Sequence, residues 1–246
     1  ELHDVFSHTT SPEEGENEGR RRQLESRAAG TKALATWHAT RTIQECREVS
    51  RLTTYDSAQK DFNLSEAQHK AYDEVVSCFS EKDVVLLHGI TSSGKTQIYI
   101  KLIEAQLQQG RQVLYLLPEI ALASQIIERL RQYFGDKIGV YHSKFSDNER
   151  AEVWQKILKR EYQIVLGARS SIFLPFHDLG LIIVDEEHET SYKQFDPAPR
   201  YHARDTAIFL ASLFKSKVLL GSATPSLESY YNAKIKKYGF VELTER

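Results

Sequence analysis

The feature that most constrains this chain is an apolar run ending in a glycine-bounded loop. Val84-Val85-Leu86-Leu87 is followed, one residue on, by Gly89-Ile90-Thr91-Ser92-Ser93-Gly94-Lys95-Thr96. The octapeptide fits the pattern G-x-x-x-x-G-K-[ST], and its chemistry is that of a phosphate cradle. Glycines let backbone N–H groups converge on phosphate oxygens, Lys95 brings a point charge to the β and γ phosphates, and the Thr96 hydroxyl suits Mg²⁺. Lys95 to Gln109 reads as a helix, with Ile98, Leu102, Ile103, Ala105 and Leu107 at mostly helical spacing and Gly110 as its stop. The positive end of that helix faces the same phosphates. A nucleoside triphosphate and Mg²⁺ are the ligands this predicts, with Gly89, Thr91, Ser92, Ser93, Gly94, Lys95 and Thr96 as their binding residues.

The rest of the chain alternates in the same way. Ser65 followed by Gln68 predicts a capping box opening a helix whose apolar face is Ala71, Val75, Val76 and Phe79. Apolar runs at 113–117, 138–141, 164–166, 181–184 and 218–220 read as strands. Between them lie helical stripes: Leu122, Ile126, Ile127, Leu130 and Phe134; then Val153, Trp154, Ile157 and Leu158; then Ala203 to Phe214. The fold class is therefore α/β, a mostly parallel sheet with helices on both faces and its ligand at the carboxyl ends of the strands.

Upstream, the pattern fades. Residues 1–31 hold Glu13-Glu14-Gly15-Glu16 and then Arg20-Arg21-Arg22 with few apolar groups, and read as a solvated, disordered segment. Residues 32–57 read as a short helix and strand ending in a linker, and the compact lobe occupies 58–246. Among 246 residues, Cys46 and Cys78 are the two cysteines, which supports neither a disulfide framework nor a zinc site. The formal net charge is −2, so any nucleic-acid surface must be local. No run approaches the roughly 18 apolar residues of a membrane span, and no signal peptide is seen, so a cytoplasmic location without membrane contact is expected. The absence of methionine, even at position 1, fits an excised fragment, a processed product or dropped modified residues.

Leu181-Ile182-Ile183-Val184-Asp185-Glu186-Glu187-His188 places acids at the end of an apolar strand. There, Asp185 can orient a Mg²⁺ shell, and Glu186 can accept a proton from water or aim that water at a γ-phosphate. A solvated, charged turn would have the same sequence. Gly221-Ser222-Ala223-Thr224-Pro225 ends another strand and offers two hydroxyls, or simply a turn in which Thr224 or Ser226 caps the next helix.

Taken in order, the loop at 89–96, the Asp185-Glu186-Glu187-His188 box and Gly221-Ser222-Ala223-Thr224 resemble motifs I, II and III of superfamily 2 helicases. Leu117-Pro118-Glu119-Ile120 is similar to motif Ia, and 166–173 to motif Ib. Ser191-Tyr192-Lys193-Gln194 with 199–205 resembles the stretch after the acidic box in the PriA family of bacterial replication-restart helicases. The resemblance runs from about residue 62 to 246 and implies a P-loop NTPase, RecA-like first lobe of an ATP-dependent 3′-to-5′ DNA helicase of replication restart and primosome assembly.

It also implies roles. Lys95, Asp185 and Glu186 are catalytic, Thr96 and Asp185 hold the metal, and Gln68 resembles the adenine-reading glutamine, although a helix-capping amide would look the same. Pro118, Glu119, Arg169 and Ser170 resemble residues that touch a single-strand backbone, and His188, Ser222 and Thr224 those that couple the nucleotide to DNA. Tyr192, Lys193, Arg200, Tyr201 and Arg204 resemble an aromatic-rich loop that stacks on bases and neutralises phosphates. The implied partners are single-stranded or forked DNA, with primosome and single-strand-binding proteins for the full-length protein. The family also carries a second lobe with arginines that complete hydrolysis, and a cysteine-rich zinc insertion. Neither fits within these residues, so weak activity and no bound zinc are expected of the chain by itself. Residues 32–52 resemble the tail of a winged-helix region. Another superfamily 2 translocase, of restriction or RNA type, and a non-hydrolysing nucleotide-dependent DNA-binding module are the alternatives.

Overall fold

The computed structural model describes residues 63–90, 93–118, 124–142 and 145–244. The readings of 1–57, and of Thr91, Ser92 and Glu119, lie outside the described residues. Those described form a seven-stranded sheet flanked by helices, and all of its strand pairs are parallel. In chain order the elements are α1 Glu66–Glu81, β1 Val84–Gly89, α2 Lys95–Gln108, β2 Gln112–Leu116, α3 Ser124–Phe134, β3 Ile138–Tyr141, α4 Asp147–Leu158 and β4 Ile164–Gly167. β5 Leu179–Asp185, α5 Ala203–Phe214, β6 Lys217–Ser222, α6 Leu227–Lys234 and β7 Gly239–Leu243 complete it. None of the described helices is long and apolar enough to cross a membrane.

Strand order is β3-β4-β2-β5-β6-β1-β7. Each central strand feeds alternate side chains to opposite faces, so both faces are buried. Val85, Leu87, Tyr115, Ile183 and Leu219 pack against Val75 of α1, Tyr99 and Ile103 of α2 and Leu130 of α3. Val84, Leu86, Leu116, Val184 and Leu220 pack the other way, on Ile157 of α4, Ala207 of α5 and Ala233 of α6. Two cores thus clamp the strands whose ends carry the chemistry.

Registers bring those ends level: Asp185 pairs with Gly221, and His88 with Ser222. The nucleotide loop, the acidic box and the 221–224 turn therefore leave one sheet edge side by side.

Three details differ from the apolar patterning. Val76 is 46% exposed, Trp154 45% and Leu158 41%, so α1 and α4 bury narrower stripes than their apolar residues suggest. β7 has no counterpart in the sequence reading, since Phe240, Val241 and Leu243 are interrupted by Glu242. Parallel pairing with β1 turns that alternation into a half-buried edge strand.

Candidate nucleotide-binding site

The site begins where β1 ends. Gly94 adopts φ 84°, ψ 27°, a left-handed turn open to glycine at little cost, and delivers the chain into α2. Lys95 enters α2 almost buried, and its amino group donates to the Gly89 carbonyl at 2.8 Å. A side chain on Gly89 would meet the Ser93 hydroxyl at 2.9 Å. Among the described residues that hydroxyl is buried without a hydrogen-bond partner, and at the mouth of the loop it is open to a ligand oxygen.

Gln68 ties the loop to α1. Its carbonyl oxygen accepts from the Ser65 N–H at 3.0 Å, while its amide nitrogen donates to the Ser93 carbonyl at 3.3 Å. The capping box is thus formed, and the same amide reaches the phosphate loop.

Three consecutive acids, the first of them the last residue of β5, go three ways. The turn is made at Glu186, whose φ of 46° is uncommon for a residue with a side chain. Asp185 accepts from the Tyr99 hydroxyl at 3.1 Å through Oδ1 and from the Tyr115 hydroxyl at 3.0 Å through Oδ2. Burial and the adjacent Glu186 charge push Asp185 above the ordinary carboxylate value, while Tyr115, Tyr99 and Lys95 pull it back. Burial, followed by the Asp185 charge, raises both tyrosines well above their usual value, so each remains a donor at neutral pH.

Glu186 points to Lys95, 3.8 Å from its amino group, and to His188, 3.7 Å from Nδ1. Glu187 is fully buried and structural. It accepts from Arg204 at 3.0 Å, from the Ser226 N–H at 2.6 Å and hydroxyl at 3.0 Å, and from the Ser229 hydroxyl at 2.8 Å. The sequence reading assigned Glu187 no role. The signal lay in Ser226 and Ser229: a helix start with serine rather than an acid at its third position takes its carboxylate from elsewhere.

His188 links two strand ends. Its Nδ1 lies 2.8 Å from the Ser222 hydroxyl and its Nε2 3.2 Å from the Thr224 hydroxyl, and Ser222 also accepts from the Thr224 N–H. Ser226, not Thr224, caps α6.

Two residues assigned to DNA are corrected. Tyr192 is 0% exposed, and its hydroxyl donates to the carbonyls of Asp185 at 2.6 Å and Leu116 at 3.1 Å, so its ring cannot stack on a base. Arg204 is 8% exposed and held by Glu187 and Asp205, so it is not a phosphate contact. In both cases the aromatic or basic residue type was right for a nucleic-acid loop, and burial, which composition does not encode, decided otherwise.

The other members of that group differ in exposure and contacts. Arg169 donates to the carbonyls of Ser191 at 3.0 Å and Lys193 at 3.4 Å, which fixes the chain after the acidic box. Tyr201 is half-buried, edge-on to the exposed ring of Phe173 at 5.0 Å. Phe195 is 67% exposed, and Arg200 is also exposed. Gln194 donates to the carbonyls of Pro197 and Pro199 and holds the loop between them. Pro118 and Ser170, both half-buried, follow β2 and β4, and Thr96 opens α2.

A family model for DEAD/DEAH box helicases matches residues 65–233. The chain belongs to this family. Within it, the chain is similar to replication restart protein PriA of Bacillus subtilis, 45% identical over 185 residues, covering 74% of this chain and 23% of the relative. It is 41% identical to replication restart protein PriA of Rickettsia typhi over 226 residues, covering 87% of this chain and 35% of that one. The chain thus spans between a fifth and about a third of these relatives' length. A solved structure of RecG bound to a three-way DNA junction superposes with a TM-score of 0.55 at 22% identity, over 82% of this chain and 26% of that one, a likeness of fold. As a DEAD/DEAH box helicase lobe, the chain has its acidic box in the residues Asp185 to His188.

Proposed function

We propose that this chain is the ATP-binding motor lobe of an ATP-dependent DNA helicase of replication restart. The observation that carries the reading is the position of Glu186, which stands between the phosphate-loop lysine at 3.8 Å and His188 at 3.7 Å. One carboxylate is thus placed to sense the nucleotide and the 222–224 turn together.

The residues fit a triphosphate with a divalent cation. The unpartnered Ser93 hydroxyl, the start of α2 and the Lys95 amino group converge beside the Asp185 carboxylate. Mg²⁺ bound by Thr96 and Asp185 would neutralise phosphate charge. Lys95 exchanges the Gly89 carbonyl for phosphate oxygens, Gln68 stands at the loop where it can also read adenine, and Glu186 orients the attacking water or takes its proton. His188, Ser222 and Thr224 pass a change at Glu186 to the neighbouring strand end.

Single-stranded or forked DNA is the partner we assign to the surface of Lys193, Phe195, Arg200, Tyr201 and Phe173, with Pro118, Arg169 and Ser170 as further contacts and Glu119 assigned from the resemblance alone. Exposed rings beside cations suit stacking with phosphate neutralisation. The 3′-to-5′ direction, the primosome and single-strand-binding partners and the cytoplasmic setting follow from the resemblance to the PriA family. We infer that hydrolysis by these residues alone is slow, since the arginine that stabilises transition-state charge is worth about 10³–10⁵ in P-loop GTPases.

The test is Lys95→Ala in a protein of the relatives' length carrying this chain. ATP hydrolysis and unwinding disappear while DNA binding remains, and unwinding that persists in the variant would overturn the motor reading.

A further inference from the structure

Asp185 is held by more than its place in the acidic box. Tyr99 reaches it from α2 and Tyr115 from β2, each hydroxyl taking one carboxylate oxygen. Both rings are fully buried and meet edge to face, 5.7 Å between centroids at 88°. Tyr99 also depends on Gly221, because a side chain there would overlap its hydroxyl. A third tyrosine, Tyr192, holds the main-chain carbonyl of the same aspartate at 2.6 Å. Asp185 is therefore fixed at both ends, by donors whose rings cannot turn away without opening the core.

We propose that Tyr99 and Tyr115 are positioning residues that set the divalent-cation affinity of the nucleotide site by locking the Asp185 carboxylate. The proposal rests on the nucleotide-site reading given above. Both hydroxyls are spent on the carboxylate; Oδ1 also accepts from the Glu186 N–H at 3.2 Å, and Oδ2 keeps a lone-pair direction for a cation or its water shell. Outer-shell donors of this kind fix the orientation of a ligand, and removing one typically costs 10–100-fold in metal affinity. The two tyrosines come from separate elements, so the carboxylate also registers the packing of α2 against β2 and β5.

The experiment is a Mg²⁺ titration of fluorescent ATP-analogue binding to the full chain, as wild type, Tyr115→Phe, Tyr99→Phe and the double variant. Each substitution removes one oxygen and keeps the ring. The expected result is nucleotide affinity in EDTA equal to wild type, with the Mg²⁺ half-point raised roughly tenfold in each single variant and further in the double. Unchanged half-points in both single variants would overturn the proposal. So would an equal loss of affinity with and without Mg²⁺, which would make the tyrosines packing residues only. The single variants decide the matter even if the double variant does not fold. Wild-type protein that binds the analogue with no response to Mg²⁺ would instead contradict the nucleotide-site reading itself.

Discussion

The Nδ1 atom of His188 lies 2.8 Å from the hydroxyl of Ser222, joining the acidic box at the end of β5 to the turn at the end of β6. Through Nε2 the same imidazole reaches Thr224, and on its other side stands Glu186. A shift of Glu186 toward a nucleotide therefore changes the neighbours of a residue that the adjacent strand also holds.

His188→Ala and Ser222→Ala should lower the stimulation of ATP hydrolysis by DNA in a protein of the relatives' length. Coupling residues of this kind are worth roughly 0.5–2 kcal/mol, about two- to thirtyfold. ATP affinity should stay near wild type, because among the described residues the His188 and Ser222 side chains bond to each other and to Thr224. Equal loss of basal and stimulated hydrolysis would assign His188 to chemistry rather than coupling.

Arg204→Ala should destabilise the lobe by about 3–5 kcal/mol, since it leaves the fully buried Glu187 carboxylate without its cation. Urea unfolding measures the loss. Adding Glu187→Gln to the variant should recover part of it, and a loss below about 1 kcal/mol for Arg204→Ala would show that the pair is not desolvated.

Gly221→Ala places a methyl group against the Tyr99 hydroxyl, which is buried and cannot swing aside. Overpacking of this type costs about 1–3 kcal/mol. Tyr99→Phe removes the obstructing oxygen, so Gly221→Ala should cost less in that background. An identical cost in both backgrounds, measured in a double-mutant cycle, would place the strain elsewhere.

The sheet and the phosphate-loop pattern of the candidate nucleotide site were legible for physical reasons. Buried parallel strands leave unbroken runs such as Leu181 to Val184, and a phosphate loop needs glycine and lysine at fixed spacing. Boundaries moved by a residue or two, as for β2 at Gln112–Leu116. Tyr192 and Arg204 were misread because a loop's composition does not say which of its rings and charges turn inward. Tyr99 and Tyr115 were not singled out because a core tyrosine and one donating to a carboxylate are the same letter.

Phe195→Ala and Tyr201→Ala should each weaken binding of a labelled single strand, in line with about 1–3 kcal/mol per stacked base. Tyr192→Phe should leave that affinity unchanged, its ring being buried. Fluorescence anisotropy separates the two cases, and a Tyr192→Phe variant that loses DNA while Phe195→Ala keeps it would reverse the assignment.

If Lys95 and the turn into α2 form a triphosphate site, equilibrium binding of Mg²⁺–ATP to the full chain depends on the Lys95 amino group. Wild type should bind, and Lys95→Ala should bind roughly 10–100-fold more weakly, the worth of a charge-assisted contact of about 1.5–3 kcal/mol. Equal affinity in the two proteins, or no binding by wild type, would contradict it.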